Sequence, residues 1–396
     1  MRLVEFVPPV PHPLWRLCLQ MGITDVIVKV NPDLTGLADP WRYETLKSIV
    51  DRLADAGLRV VGLEGDPFDM SPIKEYTGTT GVPPVGNGQD ARSPSLNGQD
   101  AYSPGWVSRE KALAHYRELL ESMGRIGIRL LCYNFMVGTG WARTGVREGR
   151  GGAKATYFSL AENLSRKEHK ANKGNMAPCG LCGQNQKDGL LLDHDQVWAN
   201  YGYFIKSVMP TAERCGVRMG LHPDDPCLPS LGGYARIFGS VEAYDRAYAL
   251  YPSPSNAVTF CQANFKLMLG GGVRDSSREG PIQQSNNPTI KQLSIQTLES
   301  VVRHFGSRIA FIHVRDVEGT KEDFTELFHD QGDLDQFALM RTYREIGLDV
   351  PVRGDHVPEM EGDRILTPEG TPGYFTLGRL FANGYLKALL RGTGNG

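Results

Sequence analysis

Apolar positions along this chain follow two rhythms. Short, mostly apolar runs at residues 3–7, 25–30, 59–63, 128–134, 217–222, 256–261, 308–314 and 350–353 end in turn or polar residues. Runs of that length predict buried strands. Between most of them, apolar residues recur three and four apart at 42–56, 108–126, 197–215, 293–305, 335–346 and 374–390. That spacing predicts helices with one buried face. Gly57 is a natural stop for the first of these helices, and Ser108 a natural N-cap for the second. Strands alternating with helices in this way predict an α/β fold, a (β/α)8 TIM barrel formed by residues 1–396 as one unit.

Three stretches break the alternation: 66–107, 137–193 and 270–288. All are rich in Gly and polar residues, and each follows a predicted strand. Long loops in that position sit on the C-terminal face of a barrel, where they cover or shape an active site. The first contains a near-duplication, NGQDARSP from Asn87 and NGQDAYSP from Asn97. Its alternative reading is a disordered or oligomer-contact insertion.

Composition narrows the picture. A chain of 396 residues, 40% hydrophobic, can bury a large core. A formal charge of -2 gives no reason to expect a nucleic-acid or acidic-membrane partner. No apolar run is long enough for a membrane span, and the N-terminus lacks the apolar core of a signal peptide. Seven cysteines without framework spacing suit reduced thiols in a cytoplasm. Cys179 and Cys182 form a C-x-x-C, but no second pair accompanies them, so two thiols in a loop are expected rather than a zinc site.

The later strand ends carry the candidate chemistry. His222 closes the fifth run and Cys261 the sixth. The seventh delivers His313, Arg315 and Asp316; the eighth delivers Asp355 and His356. A barrel would gather these ends at one mouth. Two imidazoles, a thiolate and a carboxylate suit a borderline cation such as Mn²⁺, Fe²⁺, Co²⁺ or Zn²⁺ better than Mg²⁺ or Ca²⁺. Taken singly, each residue has a plainer reading: a hydrogen-bonded histidine, a small buried thiol. Asp224 and Asp225, which follow His222, are expected to cap helices or pair with arginines.

Several stretches, in this order, resemble the mannonate dehydratase (UxuA-type) family. They are YNFM and WART within 133–144, HPDDP from His222, FC at Phe260, FIHVRDVEG from Phe311, FTELFHDQGDLD from Phe324, PVRGDH from Pro351 and PGY at Pro372. The resemblance implies a xylose-isomerase-like barrel that dehydrates a sugar acid, D-mannonate in the usual case, to 2-keto-3-deoxy-D-gluconate with Mn²⁺ or Fe²⁺. It implies His222, Cys261, His313 and Asp355 as metal ligands. It implies Arg315, His356 and Tyr374 as residues handling substrate and protons, with Asn134 and Arg353 as further substrate-binding candidates. The expected partner is a small sugar acid, and a homodimer or larger homo-oligomer fits a barrel of this size.

In such a reaction Arg315 is expected to grip the substrate carboxylate with its planar fork. Tyr374, as tyrosinate, is expected to take the C2 proton, and His356 to protonate the departing 3-hydroxyl. The chain departs from the family's pattern at Gly354, after His356 (Val357, Pro358) and after Cys261 (QANFKLM), which leaves the sugar acid open. A metal-dependent sugar isomerase or epimerase is the alternative enzyme, and a carbohydrate sensor without catalysis the alternative class.

Overall fold

The computed structural model describes residues 1–77, 107–165, 191–270, 297–368 and 370–394. Eight parallel strands form its centre: β1 (Arg2–Leu3 and Glu5–Val7), β2 (Asp25–Val28), β3 (Arg59–Glu64), β4 (Leu130–Tyr133), β5 (Arg218–Leu221), β6 (Asn256–Cys261), β7 (Ile309–Val314) and β8 (Pro351–Gly354). Each pairs with its neighbours in chain order. The first strand joins the two edges. Its Arg2–Leu3 piece pairs with β8, and its Glu5–Val7 piece pairs with β2. The sheet therefore closes into the expected (β/α)8 barrel.

Every residue of β2, β4, β6 and β7 is buried. Strands covered on both faces read as continuous apolar runs, which is why periodicity located them so well. Val4, Ile27, Leu130, Cys132, Ala257, Ala310 and Phe311 fill the barrel interior. The alternate residues, among them Val26, Leu131, Met219, Val258, Ile312 and Val352, pack outwards against the helices.

Helices cover the outside at Tyr43–Asp55, Arg109–Ile126, His194–Cys215, Leu298–Phe305, Gln336–Glu345 and Thr376–Gly392, close to expectation. Ser108 caps its helix, its hydroxyl accepting from Lys111 N at 3.3 Å. Helices at Pro13–Gln20 and Val241–Leu250 were not anticipated. No helix among the described residues is long and apolar enough to cross a membrane.

The stretch 137–193 is not the uniform polar loop that its composition suggested. Strands Gly145–Glu148 and Lys154–Ser159 form a hairpin that joins a second hairpin, Val317–Thr320 with Asp323–Glu326. The result is a four-stranded antiparallel sheet built by excursions after β4 and β7. Glycines 149, 151 and 152 mark the turn of the first hairpin; read as loop composition, they hide the strands on either side. In the second hairpin, Gly319 sits at φ +106, where a Cβ would land on the Asp323 carbonyl oxygen. The duplication at Asn87 and Asn97, the Cys179–Cys182 pair, and all of 270–288 except Gly270 lie outside the described residues.

A register shift sets up the site. Val258 of β6 pairs with Ile309 of β7, but Thr259 pairs with Phe311, so β7 carries one extra residue there. Beyond the shift, Cys261 faces His313. Side chains alternate along a strand, so the bulge decides which face each later residue presents.

Candidate metal centre and active site

Four side chains converge where the barrel strands end. One ligand atom from each of His222, Cys261, His313 and Asp355 lies within 4.8 Å of the others. His222 and Asp355 are the first residues beyond β5 and β8. Each extends its ladder by one hydrogen bond, His222 N to Tyr133 O at 2.7 Å and Asp355 N to Val314 O at 2.9 Å. The barrel thus holds all four on regular backbone.

The chemistry of the set fits a divalent ion. His222 Nδ1 lies 2.8 Å from its neighbour's carbonyl, Pro223 O, so Nδ1 carries the hydrogen and Nε2 keeps its lone pair. His313 is wholly buried, yet neither ring nitrogen has a hydrogen-bond partner. A buried polar atom left alone is costly unless something else satisfies it. Burial and the Arg353 charge push the His313 pKa down, but Glu64 and Asp355 outweigh them and hold it well above the ordinary value. An environment that attracts a proton this firmly attracts a metal cation for the same reason. Burial opposes ionisation of Cys261, but the two imidazoles beside it, together with the Arg315 charge, bring its pKa down to about 5. Asp355 is held well below the carboxylate range: burial works against this, and Arg353 leads the charges that overcome it. A second grouping, Glu64, Cys132 and His313, lies deeper on β3, β4 and β7. There Arg353 already occupies Glu64, at 2.5 and 3.1 Å.

The remaining expected residues divide into two kinds. His356 and Tyr374 stand beside the metal ligands. His356 Nε2 lies 4.0 Å from Asp355 Oδ1, and the Tyr374 hydroxyl donates to the same oxygen at 3.3 Å. Their rings meet edge to face at 5.2 Å, and Trp141 flanks His356 at 5.0 Å. Burial raises the Tyr374 pKa well above its ordinary value, and the Asp355 charge adds to this. The phenol is thereby kept as a donor. His356 takes φ 45, rare for a residue with a side chain. That twist lets two consecutive residues, Asp355 and His356, both face the mouth.

Arg315 and Arg353 are deeply buried, and their guanidinium groups are occupied. Arg315 donates Nε and Nη2 to Glu326 at 2.7 and 2.5 Å. Its Nη1 donates to Asp225 at 2.9 Å and Asn264 Oδ1 at 2.6 Å. The fork expected to grip a substrate carboxylate is therefore engaged with Glu326. Arg353 forks onto Glu64 and also meets Asp355 at 2.9 Å. Asn134 Oδ1 accepts from Lys74 Nζ and Met136 N, both at 3.1 Å. Its Nδ2 has no partner among the described residues.

Several contributors were not singled out from the sequence. Arg143, after β4, forks onto Asp225 at 2.7 and 2.9 Å and donates to Glu326 at 2.7 Å. Glu326 ends the inserted hairpin. With Asp225 and Arg315 these make a buried quartet of two cations and two anions. Asp225 pairs with arginines as expected from sequence. Asp224 likewise pairs with an arginine, Arg236, at 3.6 Å, and accepts from Phe238 N at 2.8 Å. The WART and FTEL stretches held the signal for Arg143 and Glu326, but only the contact with His356 gives those residues meaning.

Comparison with known proteins identifies the family and the fold. The family model D-mannonate dehydratase (UxuA) matches residues 95–275 and 289–395. A mannonate dehydratase of Brachyspira hyodysenteriae is 26% identical over 385 residues, covering 93% of this chain and 91% of that protein. The crystal structure of mannonate dehydratase from Streptococcus suis serotype 2 superposes with TM-score 0.70 at 22% identity, covering 99% of this chain and 93% of that one. A xylose isomerase domain protein from Planctomyces limnophilus has the same barrel at TM-score 0.50 and 11% identity, covering 99% and 96%. The family match spans well over half of the chain, including β4 to β8 and all four candidate ligands, and so the chain belongs to the D-mannonate dehydratase (UxuA) family and is a hydro-lyase.

Proposed function

We propose that this hydro-lyase removes water from an aldonate sugar acid, with D-mannonate as first candidate, and that it requires Mn²⁺ or Fe²⁺ held by His222, Cys261, His313 and Asp355. The observation that carries this reading is the convergence of four ligand atoms around a buried imidazole whose two nitrogens have no hydrogen-bond partner.

In the reaction the C2–H and C3–OH bonds break. A C2–C3 enol forms and tautomerises to the 2-keto-3-deoxy acid, with one water released. A divalent ion bound by the four ligands supplies Lewis-acid stabilisation of negative charge on the substrate's oxygens. We assign proton removal at C2 to His356 Nε2 and proton delivery to the departing 3-hydroxyl to Tyr374. This reverses the assignment expected from sequence. The reason is local: the Tyr374 hydroxyl is a donor to Asp355, whereas His356 has a carboxylate, Glu326, at Nδ1. A carboxylate there stabilises the imidazolium that forms when the other nitrogen accepts a proton. Arg315 and Arg353 act through charge, on Cys261 and Asp355 respectively, rather than by gripping substrate. Asn134 Nδ2 remains a candidate donor to the sugar acid.

The test is turnover of purified, metal-loaded protein against a panel of hexonates, with products identified chemically. A 2-keto-3-deoxy acid is expected. An isomer or epimer with no loss of water, or no turnover of any aldonate, would overturn the reading.

A further inference from the structure

We propose that Glu326 is a positioning residue that locks His356 in the tautomer carrying hydrogen on Nδ1, leaving the Nε2 lone pair aimed towards the metal centre. The proposal rests on the acid–base role given to His356 above.

Counting hydrogens leads to this result. His356 Nδ1 has two near neighbours, Glu326 Oε1 at 3.1 Å and Arg143 Nη2 at 3.2 Å. Arg143 Nη2 bears two hydrogens. One goes to Asp225 Oδ2 at 2.9 Å and the other to Glu326 Oε1 at 2.7 Å. Both are directed at carboxylates, so the approach of Nη2 to the imidazole is a shared third contact beside two charge-assisted bonds. A bare Nδ1 would face the Glu326 oxygen lone pair to lone pair, which burial makes costly. A hydrogen on Nδ1 pointing at Glu326 removes that cost.

Glu326 is suited to the task. It is almost fully buried, and Arg315 and Arg143 clamp it from two sides. Its pKa falls to about 2: burial opposes ionisation, and the Arg315 and Arg143 charges overcome it. A carboxylate that stays ionised can only accept, so it cannot supply a hydrogen to Nδ1 and invert the tautomer. It also comes from outside the barrel. The hairpin Val317–Thr320 with Asp323–Glu326 carries it back over the mouth, held by pairing with Lys154–Ser159. The inserted sheet thus has a task of its own, orienting a ring that β8 delivers.

The experiment uses protein labelled with ¹⁵N at histidine and loaded with diamagnetic Zn²⁺. His356 nitrogen resonances are read with the ring in its neutral form and assigned by their loss in His356→Gln. Wild type is expected to show hydrogen on Nδ1. In Glu326→Gln, whose amide can offer a hydrogen, the opposite tautomer should appear. That variant should lose on the order of 100-fold in kcat, with KM and bound metal little changed. Glu326→Asp should keep the wild-type tautomer and recover part of the rate. Hydrogen on Nε2 in wild type overturns the proposal without recourse to any variant, so a variant that fails to fold leaves it falsifiable. An unchanged tautomer in Glu326→Gln with kcat within threefold of wild type overturns it as well. The spectra need no substrate. The expected tautomers in a protein that turns over no aldonate would sink the proposed function while leaving the tautomer lock standing.

Discussion

Cys261 and His313 face each other across β6 and β7, and only because β7 takes up an extra residue before they meet. Without that shift Cys261 would face Ile312, and the imidazole would miss the thiol. The pairing places sulfur and nitrogen ligands side by side on regular strands, in a buried position where neither has room to wander.

Metal content should follow from this pair. His313→Ala is expected to abolish stoichiometric metal and turnover together. Cys261→Ser, which replaces an anionic thiolate by a neutral hydroxyl, should weaken retention of Mn²⁺ or Fe²⁺ by roughly tenfold or more. Elemental analysis after dialysis and a chelator titration of activity check both. Full metal occupancy in His313→Ala would show that the ligand set is wrong.

Asp225 holds two buried arginines, Arg143 and Arg315, and is itself 1% exposed. Asp225→Asn leaves an uncompensated cation in the interior and should cost about 3–5 kcal/mol of stability. Asp245, which is 43% exposed and pairs with His304 and Arg308, makes a surface control. Asp245→Asn should cost less than about 1 kcal/mol. Urea unfolding of the two variants gives the comparison, and equal losses would contradict it.

His329 should make stability pH-dependent. Burial lowers its pKa from 6.5 to about 4, while its Nε2 donates to Val314 O at 2.8 Å. The unfolded chain therefore binds more protons than the folded one between those values. This contribution is complete above pH 6.5 and is lost as pH falls towards 4, roughly 3 kcal/mol across the window. His329→Gln keeps a donor for Val314 O but cannot titrate. Its stability should fall less steeply than that of wild type between neutral and acidic pH, and parallel curves would remove His329 from the explanation.

Gly319 tests the inserted hairpin. At φ +106, with the Asp323 carbonyl in the path of any Cβ, Gly319→Ala should strain the hairpin that presents Glu326. Turnover should fall more than thermal stability does, because the barrel strands do not depend on this hairpin. A variant with wild-type kcat would show that the hairpin tolerates the change or that Glu326 is placed by other contacts.

The chain's own pattern revealed much of this. The eight barrel strands, including Asn256–Cys261 to the residue, were legible because strands largely buried on both faces leave short apolar runs, and their length and spacing between helical patterns tell them from helices. His222, Cys261, His313 and Asp355 were legible because each stands at or near the end of such a run, where a barrel puts its chemistry. The hairpins at 145–159 and 317–326 were not, since their strands are short and their glycines read as loop.

What sequence alone determined, then, is the barrel, its strand ends and the family. Those depend on local periodicity and on residue types in order along the chain. Tertiary structure alone decided that Arg315 grips Glu326 rather than presenting an open fork, that Tyr374 donates to Asp355, and that His356 meets a carboxylate from an inserted hairpin. Each of these depends on which hydrogens are already committed to buried partners far away in the chain, and no run of residues records that.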